Sequence, residues 1–215
     1  MNLKSLNLVN EGYRKVAVIQ KTNGIINDNE IEIWINSTKM FDELGENISY
    51  SVEVLVKIIY YALKKQANIK LCGLSFEPLN ISYEELMTIS EDVEKVSIMM
   101  GLIENKISFE QFFEEFKNKD IFFIGEFPKN EKGSTFGVQT LKHNSGEYEA
   151  IPVFINCDNA YDYKKDKDLP ITKSSFKNVA HFFNIFGIIM EPKQKFWVDI
   201  SLDQIKSLEN LKTTA

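Results

Sequence analysis

Arginine is nearly missing from this sequence. Arg14 stands alone among 25 basic residues, the rest being lysine, and the net charge is −6. Without guanidinium forks, and with no basic stripe to release counterions from phosphate, the chain lacks the equipment of a nucleic-acid binder. The densest basic cluster, Lys164-Lys165-Asp166-Lys167, is diluted by acids and reads as a solvated loop. Cysteine is scarce too. Cys72 and Cys157 are far apart, which makes no disulfide framework. Each lies in an apolar or strand-like stretch, so both are expected to be buried thiols in a reducing compartment.

Long apolar runs are also lacking. The longest candidate, Val52 to Leu63, is interrupted by Glu53 and Lys57 and falls short of the roughly 20 residues a spanning helix needs. Met1 to Asn10 has neither the charged start nor the continuous apolar stretch of a signal peptide. The expectation is a cytoplasmic protein that does not engage membranes.

What the chain does have is material for a core. Hydrophobic residues make up 44% of it and phenylalanine alone accounts for 16 residues, enough apolar content to offset chain entropy. Arg14 to Lys21 and Glu30 to Asn36 alternate as strands do, with Thr22-Asn23-Gly24 as the turn between them. Tyr50 to Lys65 has the three-and-four spacing of a helix, with Val52, Leu55, Val56, Ile59, Tyr60 and Leu63 on one face. Ile69 to Phe76 reads as a strand that Pro78 ends. Ser82-Tyr83-Glu84-Glu85 is a capping box that opens a helical stretch reaching Glu104.

A second capping box, Ser108-Phe109-Glu110-Gln111, starts a short helix ending near Lys119. Strands are expected at Ile121 to Gly125, around Thr135 to Leu141, and at Tyr148 to Asn156. Ser174 to Phe186 reads as a helix, Gly187 to Met190 and Lys195 to Asp199 as short strands. Ser201-Leu202-Asp203-Gln204 caps a last helix that frays into Lys212 to Ala215.

This order repeats. The nonamer Trp34-Ile-Asn-Ser-Thr-Lys-Met-Phe-Asp42 returns as Phe154-Ile-Asn-Cys-Asp-Asn-Ala-Tyr-Asp162, with aromatic, Ile, Asn, aromatic and Asp at the same offsets. Ile81-Ser-Tyr-Glu-Glu-Leu86 returns as Ile200-Ser-Leu-Asp-Gln-Ile205, and the spacing between the two anchors differs by a single residue. In both copies the Asn can cap the helix it leads into, with Phe41 and Tyr161 anchoring that helix to the sheet. The expected architecture is therefore α+β. Two related units of sheet plus helices, 1–105 and 106–215, are expected as a tandem duplication packed together around shared apolar surface.

The second unit resembles the SseB-type domain, named for the bacterial enhanced serine sensitivity protein. The resemblance runs from about Phe109 to Leu211. It rests on the helix Phe109-Glu-Gln-Phe-Phe-Glu-Glu-Phe116, the strand Ile121-Phe-Phe-Ile124, and Gly146-Glu-Tyr-Glu-Ala-Ile-Pro-Val-Phe154. Gly187-Ile-Ile-Met-Glu-Pro192 is similar to the family's Gly-Ile-x-x-Asn-Pro, and Ile200 to Leu208 to its last helix. The turn here is Phe154-Ile155-Asn156 where the family has Phe-Thr-Ser, and Glu191 replaces the usual Asn. The resemblance implies the fold and a bacterial, cytoplasmic, protein-binding role, with no established catalytic activity to carry over.

The residues offer little chemistry. His181 is expected to pack on its helix beside Phe182 and Phe183, and His143 to be solvated in a loop. Neither has metal-ligand spacing. Asp158, Asp162, Asp166 and Asp168 lack the periodicity and glycine of an EF-hand and read as caps and loop acids. Gly133-Ser-Thr-Phe-Gly137 is a poor phosphate cradle. A Cys157–His181 pair would need the fold to join them. No catalytic residue, metal site or cofactor is assigned.

The surplus of aromatics is the remaining lead. Phe112, Phe113 and Phe116 share one short helix and Phe122 follows on the next strand, a candidate interaction surface unless core packing absorbs them all. The expected function is a non-catalytic protein–protein interaction module. A narrower version is an immunity protein neutralising a bacterial toxin, its acidic balance steering it to a basic site. The alternative is a small-ligand binder or enzyme using a pocket between the two units.

Overall fold

The computed structural model describes residues 14–19, 29–46, 48–73, 77–127, 137–142, 146–165 and 168–210. The chain divides after Ser97 into two compact units, the division falling within one helix, Ser90–Ile103.

In the first unit, strands β1 (Lys15–Ile19) and β2 (Glu30–Trp34) lead to helix α1 (Ser37–Leu44). Then come β3 (Tyr50–Val54), α2 (Leu55–Lys65), β4 (Asn68–Cys72), β5 (Leu79–Ile81), α3 (Tyr83–Met87) and α4 (Ser90–Ile103). The sheet has the order β3-β1-β2-β4-β5. Only β2 and β4 run parallel, with Ile33 beside Leu71 and Trp34 beside Cys72. The other neighbours are antiparallel. Because side chains alternate across a strand, Ala17, Trp34 and Cys72 share one face. There they pack with Met40 of α1 and half-buried Ile19, Phe41 and Ile48.

The second unit adds helix α5 (Phe109–Phe116) before its first strand. It continues with β6 (Asp120–Ile124), β7 (Leu141–Lys142), β8 (Glu149–Phe154), α6 (Cys157–Tyr163) and β9 (Ile171–Ser175). It closes with α7 (Phe176–Phe182), β10 (Gly187–Met190), β11 (Val198–Ile200) and α8 (Leu202–Asn210). Its main sheet order is β9-β6-β8-β10-β11, with β7 off this path beside β8. Here β8 and β10 are the parallel pair and the remaining neighbours are antiparallel.

Strand for strand, the second sheet repeats the first. Order, direction and the helices between the strands all correspond, as a tandem duplication would produce. The match extends to single residues. Ala17 lies opposite Trp34 as Phe122 lies opposite Phe154. Leu55 donates its N–H to the Arg14 carbonyl at 2.9 Å, and Phe176 does the same to Lys119 at 3.0 Å. The core cluster of Ile124, Phe154 and Ala160, with Phe122 and Tyr163 packed against it, occupies the place of the Trp34–Met40 cluster.

The caps are repeated as well. Asn36 accepts from the N–H groups of Thr38 and Lys39, and Asn156 accepts from that of Asn159. Ser82 with Glu85 forms a reciprocal capping box. Ser201 with Gln204 makes the same pair of bonds, at 2.9 and 3.2 Å. Each satisfies helix-start donors that would otherwise lack partners.

The structure corrects the sequence reading at corresponding places. Tyr50 to Lys65 is not one helix, because its first turn is the edge strand β3. Likewise β9 occupies Ile171–Ser175 and α7 ends at Phe182, not Phe186. Strand β5 was not anticipated, and the Ser82–Glu104 stretch is two helices, α3 and α4. The strand from Ile69 ends at Cys72, and the α5 helix ends at Phe116. Around Val138 there is an isolated bridge to Gly125 before β7. The turn Thr22-Asn23-Gly24 and the tail Lys212 to Ala215 lie outside the described residues.

Candidate interaction surface

Phe112, Phe113 and Phe116, the aromatics singled out in the sequence, do not form an open surface. Phe112 and Phe116 have no exposed area and Phe113 is buried at 9%. A capping box between Ser108 and Gln111 starts α5, and its apolar face closes over Phe176 at the start of α7. Ring centroids lie 5.9, 6.2 and 5.4 Å from Phe176 for Phe112, Phe113 and Phe116. The Phe112 and Phe116 contacts are edge-to-face, a geometry that adds about 0.5–1.5 kcal/mol per pair beyond simple burial. Phe122 is half-buried against the Ile124–Phe154–Ala160 cluster. Packing absorbs the phenylalanine surplus in this helix.

The chemistry-bearing residues are placed as follows. Cys72 is buried at the end of β4, and desolvation together with the nearby Glu32 carboxylate pushes its thiol up to about 11. Cys157, expected to be buried, is exposed in the first turn of α6. His181, expected to pack, is exposed near the end of α7, where its ring meets the edge of Phe182. Asp158 lies in the first turn of α6, where it suits the helix dipole. His143, Asp166 and Gly133 to Phe136 lie outside the described residues. Among the described residues no group of three His, Cys, Asp or Glu side chains could hold a metal ion. None of their helices is long and apolar enough to cross a membrane.

Two buried or half-buried carboxylates at the parallel strand pairs have structural work. In the first unit, Glu32 accepts from Trp34 Nε1 at 2.9 Å and Lys70 Nζ at 3.1 Å, fixing the indole on the sheet. In the second, Glu191 is fully buried just past β10, with its backbone in the left-handed region at φ 54°. Its carboxylate accepts from the Ile155 N–H at 2.7 Å and from Asn159 Nδ2 at 2.9 Å. That clamps the β8–α6 turn to β10. In the first unit the Cys72 carbonyl accepts from the Ile35 N–H at 3.1 Å, so backbone alone makes the corresponding bond.

Exposed aromatics lie elsewhere, among them Tyr161 on α6, which is 71% exposed and does not anchor that helix to the sheet as expected. Tyr61 on α2 is 53% exposed and Phe182 on α7 is 51% exposed. Each is the seventh residue of its helix, and the two helices begin at corresponding points of the duplicated sheet. Phe127 packs against Phe182, with ring centroids 4.9 Å apart, and Ile185 in the turn that follows α7 is 66% exposed. Around Tyr61 the neighbours are cationic. Lys65 Nζ stands 5.8 Å from the Tyr61 ring and Lys64 Nζ 5.2 Å from the Tyr60 ring. The sequence reading missed this pair. The sequence carried no usable signal for it, because the reading starts these helices at Tyr50 and Ser174, ahead of Leu55 and Phe176.

In comparisons with known proteins, no family model, no curated protein and no solved structure matches this chain.

Proposed function

We propose that this chain is a non-catalytic protein–protein interaction module working in the cytoplasm of a bacterium. The observation that carries the reading is the pair of half-exposed aromatics, Tyr61 and Phe182, at corresponding positions of the two units. A core aromatic is accounted for by packing, but an exposed ring forgoes burial unless a partner supplies it. Rigid aromatic side chains are also the residues that anchor protein interfaces most often. In the second unit the ring packs against Phe127, with centroids 4.9 Å apart, so it is not an isolated exposed residue. The SseB-type resemblance of Phe109 to Leu211 supports the same role.

A narrower version is an immunity protein that binds and neutralises a bacterial toxin. Both versions are tested by affinity capture of the tagged full chain from the cells that produce it. Capture is compared with that of the Tyr61→Glu/Phe182→Glu variant, whose folding is checked by circular dichroism. The expected result is one stoichiometric protein partner that the variant loses. Equal recovery by both chains, or no protein partner at all, would refute the assignment. A toxin as the captured partner would establish the narrower version.

A further inference from the structure

The outer face of α2 is cationic in a chain whose net charge is −6. Leu55, Val56, Ile58, Ile59 and Ala62 bury one side of the helix in the first unit. At about 100° per residue, the opposite side then carries Lys57, Tyr60, Tyr61, Lys64 and Lys65. Tyr61, Lys64 and Lys65 are exposed and Tyr60 is half-buried. No Asp or Glu occurs anywhere in this helix, within a chain of net charge −6. The two tyrosines lie beneath the lysine ammoniums of their own helix, which holds the cations over the rings without neutralising them.

We propose that this face is where the partner docks, and that the partner presents an acid-rich protein segment to it. The proposal rests on the protein-binding reading above and specifies its chemistry. Charge complementarity selects the occupant: carboxylates pair with Lys64 and Lys65 while an apolar side chain covers the exposed Tyr61 ring. An anionic membrane or a nucleic acid is the less suitable occupant. Either spreads its charge far beyond a helix of 11 residues, about 16 Å long, and over that larger area would face a chain of net charge −6. A peptide segment needs only the local face.

The test places a photoreactive benzoylphenylalanine at position 61 of the full chain, with a second version carrying it at position 182. Each is irradiated in the cells that make the protein, and the adducts are sequenced by mass spectrometry. The expected result is an adduct at position 61 to a segment whose carboxylates outnumber its lysines and arginines. Lys64→Glu/Lys65→Glu should lower its yield at least fivefold, and Lys64→Arg/Lys65→Arg should preserve it. An adduct at 61 to lipid, to nucleic acid or to an acid-poor segment would overturn the proposal, as would indifference to the charge reversal. Adducts from 182 but none from 61 would overturn it and leave the protein-binding reading standing. Adducts from neither position would remove both.

Discussion

The two units solve one folding problem with different residues, most visibly at the end of the parallel strand pair. In the first unit Trp34 and Met40 fill the space beneath α1, and the Cys72 carbonyl holds the Ile35 N–H. In the second the corresponding cluster is Phe154 and Ala160, both smaller, and the buried Glu191 carboxylate holds the Ile155 N–H together with the Asn159 side chain. Backbone hydrogen bonds and capping asparagines are the common part; side-chain volume and charge are what varies. The comparison teaches that topology depends on strand pairing and caps, whereas the filling can change if space and hydrogen bonds are compensated locally.

The helices flanking the sheets show a second contrast. The first turn of α7 is sealed by α5, so Phe176 sits in a nest of rings. Its counterpart Leu55 is aliphatic and lies at the start of a helix whose outer face is cationic. The largest expected effect follows from this. Phe176→Ala should destabilise the second unit by about 3–5 kcal/mol, as removing a fully buried ring does, measured by urea unfolding. Leu55→Ala, with no ring nest to empty, should cost less, about 2–4 kcal/mol. Equal losses would erase the contrast.

Next in size is the clamp. Glu191→Ala leaves two buried donors without their carboxylate and should cost about 2–4 kcal/mol. Glu191→Gln should recover only part, because its amide sets an N–H2 group against one of those donors. Cys72→Ala should cost about 1 kcal/mol, since the bond there is made by backbone that the substitution keeps. If Cys72→Ala proved as damaging as Glu191→Ala, the two turns would not differ in the way described.

Smaller still, and equal in both units, are the caps. Ser82→Ala and Ser201→Ala should each cost about 1 kcal/mol. Unequal losses would show that the shared caps do unequal work.

The smallest effect is in the thiols. At pH 8 the native chain should react with iodoacetamide at Cys157 and spare Cys72 until it unfolds, because the Cys72 thiol is buried and its pKa is pushed up to about 11. The folded state then holds this proton more tightly than the unfolded state, whose thiol titrates near 9.0. Stability therefore falls as the pH rises between those values and is unaffected by this group below them. Cys72→Ala should remove that component of the alkaline slope.

Much of the fold was legible in the sequence. The repeated aromatic-Ile-Asn run and the repeated capping serines marked the duplication, because strand ends and helix starts need specific residues. The edge strands β3 and β9 were not legible, and at the same place in both units. An edge strand has only one neighbour, and Val52 sits 56% exposed on β3, so alternation fades. Val52, Leu55, Val56 and Ile59 then fall into helical spacing across the strand–helix junction. The surface was legible in part. Counting phenylalanines pointed to α5, where packing consumes them. Tyr61 and Phe182 stood out only when the two helices could be superimposed by position. Glu191 was seen as a departure from the resembled family's Asn, but nothing in a linear sequence places its carboxylate against Ile155.

The measurement that tests the repeated architecture most directly is a set of cross-strand nuclear Overhauser contacts in the full chain in solution. The expected pattern is parallel pairing of β2 with β4, with Ile33 beside Leu71, and of β8 with β10, with Ile151 beside Ile188. Antiparallel contacts at either pair, or a different neighbour for β4 or β10, would contradict the claim that one fold is used twice.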